Sequence, residues 1–456
     1  LNRMKNLKVM LWFDVEDFIT PEADDALLAL ILMMDSLGIR GSFKIVGEKA
    51  RVIKERGRTD IFEKLAGHEI CYHTESHSVH PTQTEYLHDK GFADGVLEFE
   101  RRERTGFLDV QDICGQFPTS YGQPGASWVP QVFPVLRKWG VPTYVDSHYL
   151  LSVNEEAFRY GGILNLTRLW STMRLEFDGG GLEEAIEQFD QFCERAADLQ
   201  LVSIFYHPCE FSCTDFWDGV NFRRGANPPR EEWKPAPLRT REEMQRRVDV
   251  LGEFLRYTLQ NPGVEYITAQ QSCLYEKTDI SPITKEGLRE IARTLTDGPD
   301  YYVRGSRSLC ASEILSLFSR DVLGLHRTPE LFYGPEADQP SEIHGTATPY
   351  ELAKAVSEQY ERVLGYKQLP VWYQVGESRI NPVDLFCNLC RAIAEGIGTD
   401  QAMELSAGEG RLVPVRHVNT SYDWAKDWII FPDGLDASEV VRHALLQTWT
   451  LKPAIF

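Results

Sequence analysis

Along the first 275 residues, short apolar runs alternate with segments whose apolar residues recur at helical spacing. Residues 9–13 form an apolar run bounded by charge. Residues 41–46 and 201–206 are further β-like runs, and shorter ones fall at 69–72, 143–145 and 266–268. Between them, residues 26–37, 48–56, 131–139, 183–199 and 242–259 follow a helical pattern. Gly38 and Gly140 stand where helix C-caps are expected. Strands and helices alternating at this spacing predict parallel βα units, arranged as a barrel or a doubly wound sheet.

After about residue 280 the pattern changes. β-like runs thin out, and helices dominate between Pro/Gly-rich connections such as Gly334-Pro335 and residues 338–340. Residues 309–315, 380–386 and 435–441 share one arrangement: an apolar residue, a cap position, Ala or Pro in the first turn, and an acid before an apolar stripe. Asn381 and Asp436 suit the cap. Three helix starts of one kind predict a mainly α-helical, repeat-like module over residues 281–456, beside a first domain over residues 1–280. Residues 369–371, ahead of a turn and a capped helix, resemble wall-binding repeat modules.

Composition narrows the classes. With 43% hydrophobic and 11% aromatic residues among 456, the chain can build a sizeable core. A formal charge of −20 disfavours nucleic acid and anionic membrane as partners. No apolar run reaches the roughly 18 to 20 residues of a membrane span. The short block 9–13, following a basic start, reads as a strand rather than a signal segment. Nine cysteines, an odd number, read as mostly free thiols, with Cys387 and Cys390 on an apolar helical stripe as core residues.

Three clusters could do chemistry, each at or just after the end of an expected strand, where α/β barrels assemble their sites. Asp14-Val15-Glu16-Asp17 gathers three carboxylates that need a cation or solvent between them. His73 and His77 are four apart, so on the first turn of a helix they share a face. Two imidazoles and one carboxylate can hold a metal and leave positions open. His80 is a candidate for an outer role, and His68 for a structural one. His207, after an apolar strand and before Pro208, is placed for proton transfer near neutral pH. The long aromatic segment 208–240, with Trp217 as its candidate substrate residue, reads as an active-site wall.

Together these clusters resemble the NodB-type polysaccharide deacetylases (carbohydrate esterase family 4). The resemblance rests on Gly67-His68-Glu69-Ile70 followed by His73-Thr74-Glu75-Ser76-His77, on the "DVED" form of a first motif at Asp14–Asp17, and on an "HPxE" form at His207–Glu210. It covers roughly residues 7–275 and implies an α/β fold, a distorted (β/α)7 barrel. It implies Asp14 as catalytic base and His207 as catalytic acid. His73, His77 and Glu16 or Asp17 would be ligands of one divalent ion, taken as zinc. Glu16 shares a strand face with Asp14, whereas Asp17 needs a turn. Where the family places an orienting Arg, this chain has Gln123, which can hydrogen-bond the Asp but brings no charge. Asp146 fills a fourth, supporting position.

The implied activity is hydrolysis of N-acetyl groups on amino sugars of a poly- or oligosaccharide. Two alternatives stand beside it: an allantoinase-like cyclic amide hydrolase, and a non-catalytic carbohydrate- or wall-binding protein on the same fold. The resemblance points to the cell envelope or the outside of the cell, while the free cysteines leave the cytoplasm open.

Overall fold

The computed structural model describes residues 6–196, 198–421 and 428–456. Its main sheet holds β1 (Asn6–Val15), β2 (Ser42–Ile45), β3 (Glu69–Tyr72), β4 (Ser120–Tyr121), β5 (Thr143–Asp146), β6 (Phe158–Tyr160), β7 (Ile163–Thr167), β8 (Thr172–Met173), β9 (Leu199–Tyr206), β10 (Val264–Ile267) and a last strand, Lys452–Pro453. The strands run parallel in the order β7-β5-β4-β3-β2-β1-β9-β8.

β1 is the axis of this sheet. Its residues from Leu7 to Val15 are buried, as a parallel strand covered on both faces requires, hence the unbroken apolar run. One edge pairs with β9. The other is divided, Leu7–Met10 pairing with β10 and Trp12–Val15 with β2. The sheet therefore curls. β6 turns back antiparallel on β7 and the last strand pairs with β6; among the described residues that end and β8 do not join. The distorted barrel expected above is, among the described residues, a curled, open half-barrel.

Most expected elements fall where the pattern puts them, including β1, β3, and the helices Glu22–Leu37, Val132–Trp139 and Arg241–Leu259. Gly38, at φ 67°, closes the first of these helices. The helix expected over 183–199 ends at Arg195, and Leu199 opens β9 instead. The 23-residue helix Phe92–Cys114 and the strands β4, β6, β7 and β8 were outside the sequence reading.

The second region is less helical than expected. Its capped helices Ala311–Val322 and Pro382–Glu395 each follow a two-stranded hairpin, Tyr302–Leu309 and Tyr373–Ile380, and a third hairpin spans Glu361–Gln368. Asn381 caps its helix, accepting from Asp384 N at 2.8 Å. In the third copy the helix Ser438–Leu446 starts after Ala437, and Asp436 accepts from Ser438 N just outside it. A second core runs from Ile283 to Met403 and includes Trp449. Val418, Phe431, Val440, Ala444 and Leu451, however, pack in the first core. The boundary near residue 280 is thus crossed again: the chain's end returns to the half-barrel because its apolar side chains complete that core. All nine cysteines are free thiols.

Candidate functional site

Asp14, Lys44, His73, Gln123, Asp146 and His207 all sit at or just past the C-terminal ends of β1, β2, β3, β4, β5 and β9. Parallel pairing brings these ends to one edge of the sheet, so side chains far apart in sequence meet there.

Glu16, His73 and His77 form one buried cluster. Glu16 Oε2 lies 3.2 Å from His73 Nε2 and 2.8 Å from His77 Nε2. The Trp217 indole donates to Glu16 Oε1 at 2.9 Å. Each imidazole is held through its other nitrogen. His73 Nδ1 lies 2.8 Å from the Gly122 carbonyl, which fixes it as donor there. His77 Nδ1 lies 2.6 Å from Ser78 Oγ, whose hydroxyl donates to Asp218 Oδ2 at 2.8 Å. With each Nδ1 engaged, both Nε2 atoms face the one carboxylate, the orientation that such outer partners give metal-binding histidines. His77 Nε2, though buried, has no partner in hydrogen-bond geometry. Two imidazole nitrogens and a carboxylate oxygen fit a divalent ion of borderline character, with positions left for other ligands.

The histidine pair does not lie on a helix. Residues 73–82 form an irregular loop in which Thr74 and His77 take left-handed backbone, at φ 68° and 50°. Such conformations cost of order 1–3 kcal/mol and persist where surroundings impose them. Here Gly47 N donates to Thr74 O and Glu48 N to Glu75 O, both at 2.9 Å, while Glu75 N is held by Glu103 Oε2 at 2.8 Å. Arg51 pairs with Glu75 and, at 2.6 Å, with Asp109.

Asp17 is not brought to the histidines. Its Oδ1 accepts from the amides of Ile19 and Thr20 at 3.0 and 2.9 Å, a local turn, and burial pushes its carboxyl up. Of the two carboxylates left open by sequence, Glu16 joins the cluster. Burial pushes Glu16 up, but His77 and His207 outweigh it and hold it well below the usual range.

Beside the cluster, Asp14 Oδ2 is 3.8 Å from His73 Nε2 and 3.5 Å from His207 Nε2. Its Oδ1 is 2.7 Å from the Lys44 ammonium, which also reaches Asp146 Oδ2 at 3.1 Å. Burial pushes Asp14 up; Lys44, His73 and His207 outweigh it and keep the carboxyl below its ordinary value. Burial likewise pushes Asp146 up, there more strongly than Lys44 holds it down. His207 is anchored through Nδ1, 3.0 Å from Glu210 Oε2, and Glu210 pairs with Arg174 at 2.7 Å. Burial favours the neutral imidazole, but the Glu210 and Glu16 carboxylates prevail and raise His207 well above 6.5.

Gln123 departs from the expectation. Its Nε2 donates to Gly125 O at 3.0 Å and its Oε1 accepts from Tyr144 at 2.5 Å, so it supports the loop and does not touch Asp14. The positive charge beside Asp14 comes from Lys44 on β2. His80 is tied to Glu85 at 2.7 Å and to the Phe222 carbonyl at 2.9 Å, away from the cluster. His68 is structural: its Nδ1 accepts from Gly41 N at 3.1 Å.

A cavity of about 250 Å³ opens over Asp14 and His207, walled by Trp12, Phe205, His148, Tyr149 and Trp428. Trp428 comes from the returning end of the chain. Its neighbours Ile429 and Ile430 accept backbone hydrogen bonds from Arg224 and Gly225 at 2.8 and 3.1 Å. Sequence reasoning missed Lys44, Ser78, Asp218, Arg174 and Trp428. A lone lysine inside the apolar run 42–45 was a readable signal for the first; the others carry none.

No family model matches the chain, and no curated protein sequence matches it. Solved structures do. The chain is similar to a "putative polysaccharide deacetylase" from Mycobacterium smegmatis, at 16% identity over 60% of this chain and 91% of that one, TM-score 0.35. It is similar to a family 4 acetyl xylan esterase from Clostridium thermocellum, at 15% over 59% and 91%, TM-score 0.32. It is also similar to a CE4 family pseudoenzyme from Bacillus anthracis, at 10% over 58% and 65%, TM-score 0.32.

Proposed function

We propose that this protein is a metal-dependent hydrolase of the NodB type that removes N-acetyl groups from amino sugars of a poly- or oligosaccharide. The observation that carries the reading is the meeting of a Glu16–His73–His77 cluster with an ionised carboxylate, Asp14, and a protonated imidazole, His207, at one pocket. Glu16, His73 and His77 would hold the ion, zinc by the donor set. When bound there, a divalent cation supplies Lewis acidity to an acyl carbonyl and acidifies water.

The remaining chemistry belongs to the chain. Asp14, kept ionised by Lys44, accepts the proton of the attacking water. His207, kept charged by Glu210, gives a proton to the departing amine nitrogen, which leaves poorly as an anion. Asp146 shares Lys44 with Asp14 and fixes its position. Phe205 and Trp428, both half-buried in the pocket wall, are aromatic surfaces suited to a pyranose. The reading is tested by acetate release from N-acetylated chito-oligosaccharides. Activity should vanish on chelation, return with zinc, and be absent in Asp14→Asn. Full activity in the chelated protein, or in Asp14→Asn, would overturn it.

A further inference from the structure

Next to the pocket over Asp14 lies a second cavity of about 410 Å³, which shares Ser147, Tyr149 and Phe205 with it, so the two adjoin. Two arginines line the second part. Arg174 is engaged, 2.7 Å from Glu210 and 3.0 Å from Glu176. Arg168 is not: among the described residues, no hydrogen bond or ion pair reaches its guanidinium, and neither Glu176 nor Glu184, the carboxylates of this cavity, pairs with it.

Three features make Arg168 more than a surface cation. Its guanidinium carbon sits 4.6 Å over the centre of the Tyr149 ring, a contact that uses none of its N–H donors as hydrogen bonds. Its backbone is left-handed at φ 46°, an uncommon state for a residue with a side chain. That strained conformation is tied to the pocket, because Arg168 N donates to the carbonyl of Asp146 at 3.3 Å. In a chain of net charge −20, an uncompensated fork of N–H donors in this cavity is matched by an anion with two oxygens in one plane.

We propose that this second cavity is a subsite for a carboxylate-bearing sugar, recognised by Arg168, next to the N-acetyl sugar held over Asp14. The proposal rests on the deacetylase reading for the identity of the neighbouring sugar. It makes the substrate an acidic glycan in which N-acetylated and carboxylated units adjoin.

The test compares two probes, an alternating glucuronate–N-acetylglucosamine tetrasaccharide and neutral chitotetraose. Affinities are read by calorimetry and turnover by acetate release. The wild type should bind the acidic probe on the order of tenfold more tightly, the worth of one charge-assisted contact, and less so as salt is added. Arg168→Gln should lose the preference, and Arg168→Lys should keep part of it; unchanged thermal midpoints exclude misfolding. Equal binding of both probes by the wild type, or a preference retained in Arg168→Gln, overturns the subsite. Preferential binding without acetate release from either probe sinks the deacetylase reading and leaves the subsite standing. Acetate release from both without preference does the opposite.

Discussion

The Lys44 ammonium lies 2.7 Å from Asp14 Oδ1 and bridges it to Asp146, with Lys44 wholly buried between the two acids. One cation thus serves two buried carboxylates, and its removal takes the nearest counter-charge from both, leaving Asp14 to His73 and His207. Lys44→Met should destabilise the fold by about 3–5 kcal/mol, the usual cost of orphaning a buried ion, and abolish acetate release. Lys44→Arg keeps the charge and should recover stability more than activity, because a planar fork cannot reproduce a point charge in this space. Urea unfolding and acetate release on the same preparations check both parts.

The His77–Ser78–Asp218 chain makes a separate prediction. Ser78 Oγ links His77 Nδ1 to a carboxylate that burial raises to about 6. Ser78→Ala cuts that link while leaving the three proposed ligands in place. Zinc affinity should fall by about 10- to 100-fold. Competition with a chromophoric chelator measures it, and an unchanged affinity would count against His77 as a ligand.

Glu103 gives the fold a pH dependence of its own. Its side chain is buried beneath the loop 73–82, accepting from Tyr72 at 2.7 Å, Tyr86 at 3.0 Å and Glu75 N at 2.8 Å, and burial raises it to about 7 despite these donors. A carboxyl whose folded value lies above its unfolded value of about 4.3 contributes its full stability below that lower value and loses it as pH rises through 7. The difference is worth about 3 kcal/mol. Wild-type stability should therefore fall between pH 5 and 8 more steeply than that of Glu103→Gln. Urea midpoints at several pH values decide it, and parallel curves would remove Glu103 as the cause.

The same residue shows why part of this molecule was illegible in sequence. The helix Phe92–Cys114 buries a stripe at Phe92, Val96, Phe99, Glu103, Gly106, Phe107 and Val110. An acid and a glycine on the stripe break its apolar period, yet each answers to the histidine loop: Glu103 binds its backbone, and a Cβ on Gly106 would collide with Glu75 and the Tyr72 hydroxyl. Long buried runs such as β1, and motif spacing around His73 and His207, were readable because local pattern and tertiary role coincide. Strands of two or three residues were not, since alternation needs more length to show. The hairpins of the second region are turned on Gly305, Leu364-Gly365 and Gly376, all at positive φ. Their Gly-centred turns were a signal, masked by strands only three residues long.

Within the candidate site, Asp14, His73, His77 and His207, named from sequence, are brought together by the fold, while Glu16 and Asp17 stood as rivals. The structure separates those two by where the chain bends. Asp17 is used to make the turn that ends β1, so only Glu16 faces the histidines. Gln123 was misplaced for a related reason: an expectation about one side chain cannot foresee that a lysine one strand away supplies the charge.

The contact of Trp428 with Gly125 ties the end of the chain to the site and yields a last prediction. Gly125 is left-handed at φ 46°, and a Cβ there would fall within the Trp428 indole. Trp428 in turn packs edge-on to His77, with ring centroids 6.0 Å apart, and walls the pocket over Asp14 and His207. Gly125→Ala should push the indole off its seat, and Trp428→Ala should remove it. Both open the same wall, so both should raise KM for an oligosaccharide, by about tenfold for the loss of one aromatic platform, while zinc affinity changes little. The two effects should not add in the double variant, because each removes the same contact. Steady-state kinetics of the two single variants and the double variant test this, and additive losses would show that the chain's end contributes to the site by some other route.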